Sequence, residues 1–165
     1  AVIEALRHVA SGLFVTSYMI YVARDLGLPT GVQGMVFALG SVGAFAGAAV
    51  APRLGLRIGS GRAMTCGLAL SCLGAACIPL AQGAGWGAVA LLIAHQLVGD
   101  GGDTLHDVHD RTLRQTAVGA AWLARVDAGL RGVGQCATLL GAALGGVIGT
   151  LLSARSKWAM GGSRL

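Results

Sequence analysis

Gln96, Asp100, Asp103 and Asp107 recur at i, i+4, i+7 and i+11 in "LLIAHQLVGDGGDTLHDVHD", one face if that stretch is helical. A carboxylate inside a membrane-spanning helix is costly and is retained where it faces an aqueous cavity or a partner. Reversible protonation and cation binding are the chemistry such a face offers, with His95 and Gln96 deeper in the span. The same acids at a helix end already in water need no such role. Both readings stand for Asp100, and solvation is the stronger one for Asp103 and Asp107. Just beyond, "HDVHDR" sets His106 and His109 three apart beside Asp107 and Asp110. Zinc asks for three or four converging ligands, and a solvated helix end explains these residues as well, so no metal is assigned. "GDGGD" and "GVGQCA" follow no strand and complete neither a dinucleotide fingerprint nor a Walker pattern. No Ser-His-Asp or Cys-His grouping stands out on a loop. No catalytic residue, cofactor or enzymatic activity is expected.

The elements that would position these residues follow from composition. The 165 residues are 55% hydrophobic and 12% charged, where a soluble domain carries about twice that charge. Mean hydropathy is +0.71. A soluble fold of this length has too much surface to hide so much apolar side chain, so the expected solvent is a lipid bilayer. The 28 glycines suit membrane helices whose backbones approach closely. The net charge of +5 is spread singly or in pairs, unlike the clustered basic and aromatic face that binds nucleic acid. Cys66, Cys72, Cys77 and Cys136 form no CxxC pair and read as reduced, buried small hydrophobes. The opening "AVIEALRH" has neither Met nor a signal-peptide pattern, and is read as the start of a fragment.

A spanning helix takes about 20 mostly apolar residues. Five stretches answer to that: 5–23, 31–51 (stopped by Pro52), 62–81, 86–106 and 129–152. The fold class expected is all-α, a polytopic transmembrane helix bundle. Loops alternate in charge. "PRLGLRIGSGR" and the stretch 108–128 are arginine-rich, whereas "RDLGLPT" and "QGAGWG" hold one arginine between them. The positive-inside rule places the basic pair in the cytoplasm. Residues 108–128 then form an amphipathic cytoplasmic connector, with Leu113, Val118, Trp122, Leu123 and Val126 along the interface. The basic tail "SARSKWAMGGSRL" falls on the outer side, which a sixth helix beginning near Trp158 would explain.

As a set these residues resemble a known family. "TLRQTAVGAAWLARVDAGLRGVGQCATLLGAALGGVIG" is similar to the segment joining helices 10 and 11 of the major facilitator superfamily, in the branch of bacterial enterobactin-exporter-type drug and siderophore efflux proteins. Leu113, Arg114, Gln115, Leu123, Arg125, Val126, Ala128, Arg131, Gly141, Gly145 and Gly146 fall on its pattern. "RDLGLPTGVQGMVFALGSVGAFAGAAVAPRLGLRIGSGRAM" resembles helix 8 and the loop after it. Departures exist: Ala124 replaces a glycine, a proline is missing from "TAVGAAW", and the loop signature is reduced to Arg53, Gly55 and Arg57, with Pro52 in the acid's place.

The resemblance implies helices 7–11 of the C-terminal half of a transporter of two six-helix halves, in the bacterial inner membrane. It implies a secondary active exporter, proton-coupled, moving amphipathic small molecules, with the N-terminal half as the missing partner and no transport by these residues alone. In such a fold helices 7 and 10 line the central cavity. That makes Asp100, Asp103, His95 and Gln96, with Tyr18 and Tyr21 of the first helix, candidates for the substrate and proton pathway. Interfacial anchoring is the other reading of the tyrosines, Tyr21 above all. Arg53, Arg57, Arg114, Gln115 and Arg125 fall in the cytoplasmic gating loops. Gly40, Gly43 and Gly47, and the double GxxxG of Gly141, Gly145 and Gly149, make flat helix faces, expected to dock on the missing half. The alternative from another class is a small glycine-rich membrane scaffold, self-associating through those faces.

Overall fold

The computed structural model describes residues 2–83 and 85–161. They form five α-helices and no strand among the described residues: α1 (Val2–Ile20), α2 (Thr30–Ile58), α3 (Ser60–Ala76), α4 (Trp86–Ala117) and α5 (Ala120–Gly161), with a π-helical turn at Tyr21–Asp25. The all-α class follows from apolar runs rich in Ala, Leu and Gly, too long for strands.

The breaks are where backbone chemistry forces them. Gly59, at φ 85° and ψ 150°, ends α2 and lets α3 begin one residue later. Only glycine takes that conformation without strain. α3 ends at Ala76, three residues before Pro79, which lies in a turn; a proline disfavours helix at the residue before it. Val118 is extended (φ −111°, ψ 128°) and separates α4 from α5.

Three expected boundaries are corrected. Pro52 does not stop the second helix, which runs six residues further to Ile58. A proline's ring fixes φ near the helical value, and the Leu and Arg residues after it are good helix formers. Arg53 and Arg57 are therefore helical, not in a loop. The connector expected at 108–128 is not one element: α4 continues to Ala117, carrying Arg114 and Gln115, and Arg125 lies in α5. Charge alone does not end a helix; the extended Val118 before Gly119 does. Finally, the third helix ends at Ala76 rather than 81, and its 17 residues stand at the lower limit for a span.

Pro52 is exposed, so its ring packs against little. Pro52→Ala returns an N–H donor to the helix and is expected to stabilise by about 1–3 kcal/mol. A higher thermal unfolding midpoint in detergent checks this.

The chain divides into two compact units, residues 1–25 with 124–165, and residues 26–123. In the second, glycines set the packing. Gly40 lies against Gln96 and Asp100, Gly43 against Leu97, Gly47 against Gly101 and Gly55 against His109. The numbers rise together, so α2 and α4 run parallel. Gly67 meets Gly102 and His106, whereas Gly74 meets Gly99, so α3 runs antiparallel to α4. A side chain at Gly67 would put its Cβ 2.7 Å from the Gly102 oxygen; only a bare backbone permits that approach. Val36, Ala51, Ala63, Val89, Leu92 and Leu105 fill what remains of the interior.

In the first unit α1 and α5 run parallel. Gly134 faces His8, Gly12 faces Thr138, Gly141 faces Val9 and Leu13, and Gly149 faces Ile20. The expectation that the two glycine faces dock on a missing half is thus corrected: each is occupied within its own unit.

Many large apolar side chains are exposed. Leu56 is 90% exposed, Trp86 83% and Phe45 77%. Two helical stretches among the described residues, Thr30–Ile58 and Trp122–Leu151, are long and apolar enough to cross a membrane, and only 22% of each apolar window is buried. The core helix of a soluble protein would be mostly covered. The cysteines follow the same rule: Cys66, Cys72 and Cys136 are exposed and Cys77 half-buried, all as free thiols, not the buried set expected.

Candidate functional site

A groove of about 380 Å³ lies between α2 and α4. α4 supplies Gln96, Asp100, Asp103 and Thr104; α2 supplies Phe37, Gly40, Ser41 and Ala44. Three of the four α4 residues belong to the polar face read at i, i+4 and i+7. Gln96 is buried, Asp100 half-buried and Asp103 exposed, so the face grades from interior to surface over two turns.

Gly40 is what seats the acid. A Cβ there would collide with Asp100 Oδ2 and lie 2.8 Å from Gln96 Nε2. Without it, the carboxylate and the amide lie directly on the α2 backbone. Gln96 Nε2 donates to Asp100 Oδ2 at 3.4 Å, which orients the carboxylate with its other oxygen uncommitted to that amide. No arginine or lysine lines the groove. Two carboxylates beside hydroxyls and one aromatic ring can take a proton or a cation, and nothing in the lining favours an anion.

His95 turns away from this groove. Its ring is buried and hydrogen-bonds the Gly74 backbone of α3. Asp107, further along the acidic face, is half-buried and lies outside the groove. His106 and His109 are not at a solvated helix end, as their charged neighbours suggest, but 8% and 3% exposed. His106 Nδ1 donates to the Met64 carbonyl at 3.2 Å. The His109 ring covers Gly55, with a ring carbon 2.6 Å from where a Cβ would stand. Both histidines sit on the α4 face that holds Gly102 and Leu105, which is why they are interior. No group of three or more His, Cys, Asp or Glu is arranged to hold a metal among the described residues.

Tyr18 and Tyr21 lie in the other unit. Tyr18 is buried and stacks on Phe14 with ring centroids 6.1 Å apart. Tyr21 opens the π-helical turn and is half-buried. That turn shifts the helical register just where the two rings were expected to share a face.

The sequence reading also missed a polar junction in this unit. Glu4 Oε1 lies 3.4 Å from His8 Nε2 and 3.3 Å from Arg7. His8 Nδ1 meets Thr138 Oγ1 at 3.2 Å. Thr138 in turn donates to the Gly134 carbonyl at 3.0 Å, and Gly134 leaves room for the imidazole. Glu4 and His8 at i, i+4 were a visible signal; Thr138, 130 residues away, was not.

The gating arginines are divided. Arg114 is ion-paired with Asp110. Arg53 donates to its own helix, at the Ala49 carbonyl, 3.5 Å away. Arg57 and Gln115 are exposed at the ends of α2 and α4, and Arg125 is exposed near the start of α5. No family model, no curated protein and no solved structure matches the chain.

Proposed function

We propose that the chain is a polytopic portion of a secondary active exporter in a bacterial inner membrane. It is built on the plan of the C-terminal half of the major facilitator superfamily, with α1 to α5 as its spans. The α2–α4 groove is its proton or cation pathway, Asp100 the exchanging group, and amphipathic small molecules its cargo. The observation that carries this reading is the groove itself. A chain only 12% charged, with large apolar side chains exposed, keeps two carboxylates in one groove, one of them half-buried on a glycine made for it. Ionisable groups at such depth mark ion pathways. The scaffold alternative needs free glycine faces, and those faces are occupied by α4 and α1.

The test uses the reading frame that contains these residues, expressed in bacteria. The protein is expected in the membrane fraction, released only by detergent. Inverted vesicles carrying it should dissipate an imposed pH gradient when an amphipathic substrate is added. A chain that is monomeric in buffer without detergent ends this reading.

A further inference from the structure

Unit 26–123 is electrically lopsided. Its basic residues, Arg53, Arg57, Arg62, Arg111 and Arg114, all stand at one end. Gly59 joins α2 to α3 there, and the His109–Gly55 contact brings the last turns of α4 to the same level. Of the two acids nearby, Asp110 is paired with Arg114, and Asp107 is half-buried. Arg53, Arg57, Arg62 and Arg111 are exposed. The opposite end, residues 26–36 and 76–90, has no charged residue and an exposed Trp86.

The basic end is not purely polar. Leu56, 90% exposed, stands between Arg53 and Arg57, and Leu113 is exposed between Arg111 and Arg114. Guanidinium groups pair with phosphate oxygens in a planar, two-point fashion, and a neighbouring exposed leucine offers contact to an acyl chain. A polynucleotide would want stacking aromatics beside the arginines, and residues 52–62 and 105–117 contain no Phe, Tyr or Trp, while His106 and His109 are buried.

We infer that the arginine collar of α2, α3 and α4 (Arg53, Arg57, Arg62 and Arg111) binds the headgroups of anionic phospholipids and enriches them at that end of the protein. The inference rests on the membrane reading above and adds a lipid preference that it does not require.

Single-tryptophan variants of the full chain, reconstituted with brominated lipids, read this locally. One has Leu56→Trp with the native tryptophans changed to Phe; the other keeps only Trp86. Brominated phosphatidylglycerol should quench the indole of the Leu56→Trp variant at several-fold lower mole fraction than brominated phosphatidylcholine, and quench Trp86 equally in both lipids. Each arginine removed should weaken the preference, and Arg57→Gln, Arg62→Gln and Arg111→Gln together should take it from several-fold to near parity. Equal quenching by the two lipids at position 56 overturns the inference, as does a preference that survives the triple change. Loss of the preference in inorganic phosphate, at an ionic strength matched by chloride, also overturns it by pointing to a free-phosphate pocket. Absence of quenching by either lipid at either position overturns the membrane reading instead.

Discussion

Gly141→Ala is expected to lower the stability of the chain in detergent, and Gly146→Ala on the same helix to raise it. A Cβ at Gly141 would run into the Val9 carbonyl oxygen, with Leu13 N 3.0 Å away. Both obstacles are backbone, so α1 and α5 must separate. Forcing extra volume into a filled contact costs about 1–3 kcal/mol, and the loss spreads to Thr138 against Gly12 one turn away. A Cβ at Gly146 would meet nothing within 4 Å among the described residues. There the change only removes glycine's backbone entropy, a gain of about 0.5–1 kcal/mol. Unfolding midpoints of the two variants should therefore move in opposite directions. A common direction would mean that the parallel pairing of α1 with α5 is wrong. Gly43→Ala, directed at the Leu97 carbonyl, makes the same test of α2 and α4 in the other unit.

The glycine pair shows how far the amino-acid order could be read. Spacing at 141, 145 and 149 says that a helix face is flat, and it is. It does not say what lies on that face, because a flat face accepts any backbone. The occupant is fixed by α1, more than a hundred residues earlier, whose only local hint is Gly12. Pro52 was legible as a helix breaker, yet breaking is a matter of cost, and a 29-residue helix with good formers after the proline absorbs it. His106 and His109 were read by their charged neighbours in sequence. A helix sorts residues by angle instead, and Gly102, Leu105, His106 and His109 share the interior face. Half of the groove was visible for a related reason. The polar repeat of α4 is periodic and stands out, whereas Phe37, Gly40 and Ser41 of α2 look like any other part of an apolar span until α4 is laid parallel to them.

On the exporter reading proposed above, Asp100→Asn should abolish proton-driven efflux by the full-length protein while leaving membrane insertion intact. The argument is one of charge at constant shape. Asn matches the carboxylate in size, still fits on Gly40, and its carbonyl still accepts from Gln96 Nε2, which lies 3.4 Å from Asp100 Oδ2. Packing and helix register are therefore kept, and what is lost is a group able to take up and release a proton or to balance a cation. Removing a proton-transferring group lowers rates on the order of a hundredfold or more, so gradient-driven flux should fall to background with unchanged protein in the membrane. Asp103→Asn, at the exposed mouth of the groove, should cost far less. Gly40→Ala should fall between them, since its Cβ displaces the Asp100 carboxylate without neutralising it. This order, Asp100→Asn worst, Gly40→Ala next and Asp103→Asn mildest, follows from the groove's geometry. Efflux unchanged in Asp100→Asn would mean that this half-buried carboxylate exchanges no proton, leaving the groove without an exchanging group.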